Sequence, residues 1–187
     1  MKTLYLTAAL ALMAAPAIAQ NKPVTPADAA AGTAAMEVSS QEFVTKAGLG
    51  NLFEIESSKI AAEKSKSVDV QQFARMMMDD HGKAADELKA MADGPTSQFK
   101  LPAKLDDAHS RKLEQLRAAA GSALDMSYKQ MQLDAHREAV ALFSSYARTG
   151  DNAELKNWAG KTLPTLQKHF QHAQDLNVAQ RTGGLQQ

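Results

Sequence analysis

Two stretches of this chain carry apolar and small residues at alternating spacings of four and three. The first stretch contains Phe43, Ala47, Gly50, Glu54, Ser57 and Ala61, and the second contains Val70, Ala74, Met77, His81, Ala84, Leu88 and Met91. This spacing places each set on one face of an α-helix. Ser67 lies between the two sets and is a favourable cap for the second helix. The sequence therefore predicts a helical hairpin that turns near Ser67.

One residue in each stripe is unusual on an apolar helix face. Glu54 occupies such a position in the first helix and His81 in the second. Both are nearly equally far from Ser67 along the chain, so an antiparallel pair of helices places them at the same depth. We therefore expect a carboxylate to face an imidazole inside a helical bundle.

A second hairpin is predicted around Gly150, and each of its stripes also contains one histidine. The stripes are Met126, Lys129, Leu133, His136, Val140, Phe143 and Ala147, followed by Leu155, Ala159, Thr162, Leu166, His169, Ala173 and Leu176. Counted from Gly150, His136 and His169 differ in depth by about five residues, or roughly 7 Å. Pro164 is expected to kink the last helix. The predicted polar layer takes one residue from each long helix: Glu54, His81, His136 and His169.

The composition favours an all-α protein of one domain. The 187 residues include no cysteine, 44% are hydrophobic, and the formal net charge is zero, which does not indicate a nucleic-acid partner. A short helix capped by Asp106 is predicted to connect the two hairpins, and Asp125 and Asp151 are expected to cap the third and fourth long helices. The long helices run either up-down-up-down or with a long crossover, and the sequence leaves both topologies open.

The N-terminus has the pattern of an export signal. Lys2 precedes an apolar run over residues 4–15, and Ala17, Ile18 and Ala19 form a small-residue cleavage site. The run is shorter than the roughly 20 residues of a membrane span, so we expect cleavage, no membrane insertion afterwards, and a periplasmic protein. The predicted division is a signal peptide at 1–19, a flexible segment at 20–38, a four-helix bundle at 39–178 and a polar tail at 179–187.

The predicted layer has two interpretations. It is either a buried polar layer that sets which helix faces which, or a site for one transition-metal ion. Metal binding requires neutral imidazoles, so affinity is expected to fall below about pH 6. Asp79 and Asp80 are candidates to orient the neighbouring His81 ring, and His172 is expected to be solvated. No phosphate loop, nucleophile elbow or HExxH pattern occurs, so no catalytic or organic-cofactor residue is predicted.

Four stretches resemble an exported bacterial family called domain of unknown function 4142. They are residues 51–58, 73–81, 128–143 and 163–169. The resemblance implies a ferritin-like antiparallel four-helix bundle with an extra short connecting helix, and it implies little about activity. Ferritin-like di-iron proteins use Glu-x-x-His pairs, whereas Met78 and Leu166 stand three residues before His81 and His169. A di-iron centre is therefore not expected.

The leading prediction is a periplasmic bundle of uncharacterised role, with metal binding or envelope stress as its candidate role. One alternative is a metal-dependent oxidoreductase that uses the same Glu/His layer. A second alternative is an envelope protein-interaction module, for which a contiguous apolar surface patch would be the sign. An oligomer is compatible with the sequence.

Overall fold

The computed structural model describes residues 38–95 and 97–178. These residues form five α-helices: α1 (Ser40–Lys64), α2 (Val68–Ala92), α3 (Asp107–Ala118), α4 (Gly121–Thr149) and α5 (Ala153–Asp175). The described part contains no strand, and the all-α prediction is confirmed. None of its helices combines the length and hydrophobicity that a membrane crossing needs.

The chain divides into Met1–Ala35, which lies outside the described residues, and Met36–Gln187, to which all five helices belong. The predicted signal peptide, the predicted tail and all but the last residue of the predicted flexible segment also lie outside the described residues.

Contacts between α1 and α4 decide the topology. Near the start of α1, Ser40 contacts Tyr146 near the end of α4, and farther along α1, Ser58 contacts Tyr128 near the start of α4. The two helices are therefore antiparallel, whereas an up-down-up-down bundle would make them parallel. The segment between α2 and α4, which includes α3, must carry the chain back along the bundle. The single long crossover of ferritin-like folds has this arrangement.

The crossover passes close to α1 at Gly48. A Cβ atom on Gly48 would lie 2.8 Å from Cδ of Pro102, which is too close for any other residue type without a shift. Farther along the crossover, α3 buries Leu113 and Leu116 in the core. The connecting helix is therefore part of the packed bundle.

Side-chain caps begin the first three helices, and the predicted caps Ser67 and Asp106 are confirmed. The side chains of Ser39, Ser67 and Asp106 accept hydrogen bonds from backbone N–H groups in the first turns of α1, α2 and α3. The predicted cap of α4 is wrong, because that helix begins at Gly121, where φ is 55°, and Asp125 lies inside it.

The predicted cap of α5 is also wrong. Asn152 caps the helix by accepting a hydrogen bond from the backbone N–H of Leu155. Asp151 instead accepts hydrogen bonds from the hydroxyl groups of Ser40 and Tyr146. The Asp151 carboxylate thus links the α4–α5 turn to the start of α1. The next residue, Asn152, caps α5 in its place.

The buried stripe of α4 differs from the prediction in its first half. The buried residues of α4 are Leu124, Tyr128, Gln132, His136, Phe143 and Tyr146. Met126 is 39% exposed, and Lys129 donates hydrogen bonds to backbone carbonyls at the end of α5. The correct stripe includes a buried amide, Gln132, which pairs with Glu54 across the core.

Candidate metal centre

Three imidazoles meet in the core of the bundle. His81 comes from α2, His136 from α4 and His169 from α5, and each is no more than 5% exposed. The three ring centroids lie 5.3, 5.4 and 5.5 Å apart. One ring nitrogen of each histidine lies within 4.8 Å of one ring nitrogen of each of the others. The structure therefore brings together all three of the predicted histidines.

The outer nitrogens of His81 and His136 are held by oxygen atoms. Nδ1–H of His81 donates to Oδ1 of Asn51 at 3.0 Å, and Nδ1–H of His136 donates to the backbone carbonyl of Gln132 at 3.0 Å. These oxygens can only accept, so each ring carries its proton on Nδ1. In the neutral rings, Nε2 is consequently a lone pair.

The ring of His169 is turned the other way round. Its Nε2–H donates to Oδ2 of Asp80 at 3.0 Å, which leaves Nδ1 as the lone pair. This Nδ1 is buried and has no hydrogen-bond partner among the described residues. Asp80 was expected to orient His81, but consecutive residues of a helix point about 100° apart, and Asp80 faces α5 instead.

The spacing of the two facing nitrogens of His81 and His136 suits one metal ion. Nε2 of His81 and Nε2 of His136 are 3.4 Å apart. Two nitrogens bound to one tetrahedral ion at about 2.0–2.1 Å are themselves about 3.4 Å apart. In metal-binding histidines the second ring nitrogen usually donates its N–H to an oxygen acceptor, and the outer nitrogens of these three rings have such acceptors.

Burial keeps the three imidazoles neutral. Burial, together with the neighbouring His136 and His169, lowers the pKa of His81 well below the ordinary value of 6.5. Burial, together with His169, lowers the pKa of His136 to about 4. Burial also lowers the pKa of His169, although the hydrogen bond to Asp80 opposes the change. The neutral ring is the form that binds a metal ion, so the lone pairs are available at neutral pH.

Glu54 lies behind His136, outside the set of converging nitrogens. Its Oε1 is 3.7 Å from Nδ1 of His136, and its Oε2 accepts a hydrogen bond from Nε2 of Gln132. Burial raises the pKa of Glu54 to about 8, so at neutral pH the contact with His136 is between neutral groups. The expected direct pairing with His81 is replaced by the contact between His81 and Asn51.

Sequence reasoning missed Asn51 and Gln132. Each is an amide on the buried face of its helix, and each is less than 10% exposed. Asn51 lies three residues before Glu54, and Gln132 lies four residues before His136. This spacing of one turn before a candidate site residue is the signal by which both could have been found.

A cavity of about 60 Å³ borders the three imidazoles. Its lining includes small residues from three helices: Ala47 and Gly50 of α1, Ala84 of α2 and Ala139 of α4. These residues lie about one turn from the histidine layer. Ala84 on α2 and Ala139 on α4 lie on the C-terminal side of the histidine of the same helix. The cavity therefore lies between the histidine layer and the end of the bundle that contains the α4–α5 turn.

The fold has a known counterpart. A DUF305 protein from Streptomyces coelicolor, described as secreted, has a crystal structure that aligns with a TM-score of 0.60 and 15% sequence identity. The alignment covers 74% of this chain and 91% of that chain, and it shows a shared fold. No curated protein matches the chain significantly. The family described as Domain of unknown function (DUF4142) matches residues 25–176. The chain therefore belongs to the DUF4142 family.

Proposed function

We propose that this protein binds one transition-metal ion through Nε2 of His81, Nε2 of His136 and Nδ1 of His169. The observation that carries the proposal is the convergence of three ring nitrogens within 4.8 Å of one another, while the other nitrogen of each ring is held by an oxygen atom. Three imidazoles without a thiolate suit Zn²⁺ or Cu²⁺, and a three-histidine set leaves a fourth coordination position open.

A buried polar layer without metal explains the geometry less well. In such a layer each buried lone pair would find a donor, because unsatisfied polar groups in a protein core are costly. Nδ1 of His169 has none. The carboxyl group of Asp80 stands behind the ring of His169, where its negative charge would balance a bound cation.

Metal analysis of the untagged protein tests the proposal. We expect close to one Zn²⁺ or Cu²⁺ per chain by mass spectrometry of the purified protein, or one equivalent taken up when the chelator-treated protein is titrated. A chain that holds no metal above the buffer level and takes up none on titration would overturn the proposal. The same measurement identifies whether the ion is redox-active, as the oxidoreductase alternative requires.

We also propose that the protein is exported to the periplasm. The signal-like pattern over residues 1–19 supports this, as does the likeness to a protein described as secreted. Cell fractionation with N-terminal sequencing should find a periplasmic chain that begins at Gln20. A cytoplasmic chain that still begins at Met1 would contradict the proposal.

The interaction-module alternative gains no support from the surface. Among the described residues, the exposed large hydrophobic side chains are Val68 and Met126, which are 62% and 39% exposed. Two such side chains are ordinary for a protein surface. No observation favours a role in envelope stress, and neither role is part of the proposal.

A further inference from the structure

We propose that the 60 Å³ cavity beside the histidines binds a fourth ligand of the ion. The ligand is a molecule of two to four non-hydrogen atoms with a nitrogen or oxygen donor at one end. This inference rests on the proposed metal site and adds to it the size and chemistry of the molecule that the site admits.

The cavity continues the histidine layer along the bundle. His81, His136 and His169 all line it, and so do residues one turn away on the same helices, among them Ala84 and Ala139. The helix that supplies no imidazole, α1, contributes Gly50, which has no side chain to occupy the space. The fourth coordination position of an ion held by the three imidazoles would therefore face the cavity.

The volume limits the size of the ligand. A cavity needs roughly 10–15 Å³ to hold one water molecule, whereas an engineered cavity of about 150 Å³ is known to hold benzene. At about 60 Å³ the present cavity lies between these limits. Gly50 lines the cavity, and a Cβ atom built on it would meet no atom within 4 Å.

The lining sets the chemistry of the ligand. Away from the imidazoles it is formed mainly by methyl and other alkyl groups, including those of Ala47, Ala84 and Leu166. Two charged side chains on the wall have partners: Lys46 pairs with Glu42 at 2.7 Å, and Asp80 accepts from His169. The wall also carries two buried polar atoms without a hydrogen-bond partner among the described residues, Nδ2 of Asn51 and Oε1 of Glu54. The donor atom therefore binds the ion while the rest of the molecule contacts apolar groups, as in other small-molecule sites. The ligand is uncharged, or its single negative charge lies against the ion.

Azide is a suitable probe because it has three atoms and a terminal nitrogen donor. We expect Cu²⁺-loaded protein to bind one azide per copper, seen as a saturable charge-transfer absorption band. Imidazole has five non-hydrogen atoms and is expected to bind at least tenfold more weakly than azide. Equal affinity for the two would overturn the size limit.

A matched pair of substitutions on α4 locates the azide. Ala139 lines the cavity, whereas Ala141 is exposed on the same helix. Ala139→Leu should raise the azide dissociation constant at least tenfold, and Ala141→Leu should leave it within about twofold. The copper content of both variants is measured in parallel. If Ala139→Leu does not fold by circular dichroism, Gly50→Ala replaces it, since its methyl group has room, and a threefold or greater rise is then expected.

The outcomes separate this inference from the metal proposal. Copper bound in one equivalent without an azide band, or azide affinities equal in the cavity and surface variants, would overturn the inference and leave the metal site standing. If the protein takes up neither Cu²⁺ nor Zn²⁺, both proposals fail together.

Discussion

Nε2 of His81 and Nε2 of His136 lie 3.4 Å apart in the core, and the outer hydrogen bonds of the two rings leave a lone pair on each of these nitrogens. Their N–H groups point outward, to Oδ1 of Asn51 and to the carbonyl of Gln132. Two buried lone pairs at this distance repel each other unless a cation lies between them. Substitutions of single side chains in and around this pair should therefore change the affinity of the core for a cation.

Removing one imidazole should abolish tight metal binding. His81→Ala is expected to lower the affinity for Zn²⁺ roughly 100-fold or more, because loss of a ligand exceeds the 10–100-fold typical for an outer partner. The exposed His172 provides the control, and His172→Ala should change the affinity less than threefold. Competition with a chromophoric chelator measures both. Unchanged affinity in His81→Ala would exclude this residue as a ligand.

Asp80 should affect the metal affinity through the ring of His169, from whose Nε2–H it accepts a hydrogen bond. Asp80→Asn keeps an oxygen acceptor for Nε2–H of His169 but removes the negative charge, so we expect a 10–100-fold loss of Zn²⁺ affinity. Asp79→Asn removes the same charge from the adjacent, exposed position and should have little effect. Isothermal titration of the two variants makes the comparison, and equal losses would indicate a general charge effect.

The stability of the chelator-treated protein should fall in acid. Burial lowers the pKa of each of the three histidines below 6.5, so between pH 6.5 and about 4 the unfolded chain binds more protons than the folded chain. The free energy of unfolding then decreases as pH falls, by up to about 1.4 kcal/mol per pH unit for each buried ring. Urea unfolding of the protein and of His136→Gln measures this, and the variant should show the smaller slope.

The same lowering of pKa revises the pH range of metal binding. Because protons compete only weakly with the ion for buried neutral rings, Zn²⁺ affinity should persist below the limit of about pH 6 expected from the sequence. A metal titration at pH 5 and pH 7 tests this. A steep loss of affinity already at pH 6 would show that the rings titrate as exposed histidines do.

Glu54 should have the opposite effect on stability. Burial raises its pKa to about 8 from 4.5, so between these values the folded chain holds a proton that the unfolded chain has lost. The free energy of unfolding therefore decreases as pH rises from about 5 to 8. Glu54→Gln cannot ionise, so the chelator-treated variant should gain stability relative to the unsubstituted protein over this range. A constant difference between the two would contradict a raised pKa.

Two glycines of α1 should respond oppositely to the same substitution. A Cβ atom at Gly48 would lie 2.8 Å from Cδ of Pro102, whereas one at Gly50 would meet no atom within 4 Å. Gly50→Ala should stabilise the protein by about 0.5–1 kcal/mol through helix propensity. Gly48→Ala should destabilise it by about 1–3 kcal/mol, because the crossover must move. Thermal unfolding compares them, and equal stabilisation would place the crossover elsewhere.

Local signals predicted most of the first hairpin and several helix starts. The buried residues of α2 follow the predicted stripe, because helical periodicity is a property of neighbouring residues. The predicted stripe of α4 was right at His136 and Phe143 but wrong before them. The predicted series and the observed series share these two residues, so the two residues did not distinguish one series from the other. The polar Gln132 can occupy a core position only because its side chain donates a hydrogen bond to Glu54.

The depth of the second histidine pair also depended on tertiary structure. Counted from Gly150, His136 and His169 were predicted to differ in depth by about 7 Å, yet their ring centroids lie 5.3 Å apart. The turn extends from Gly150 to Asn152, so counting from its middle removes part of the offset.

The sequence by itself determined the helices, the buried faces of most of them and the presence of three histidines on those faces. These features follow from propensity and periodicity, which act over a few residues. Only the tertiary structure decided the crossover, the outer partners Asn51, Gln132 and Asp80, and the position of Glu54 behind a ring. Each of these depends on which helix faces which, and that is set by packing between residues far apart in the chain.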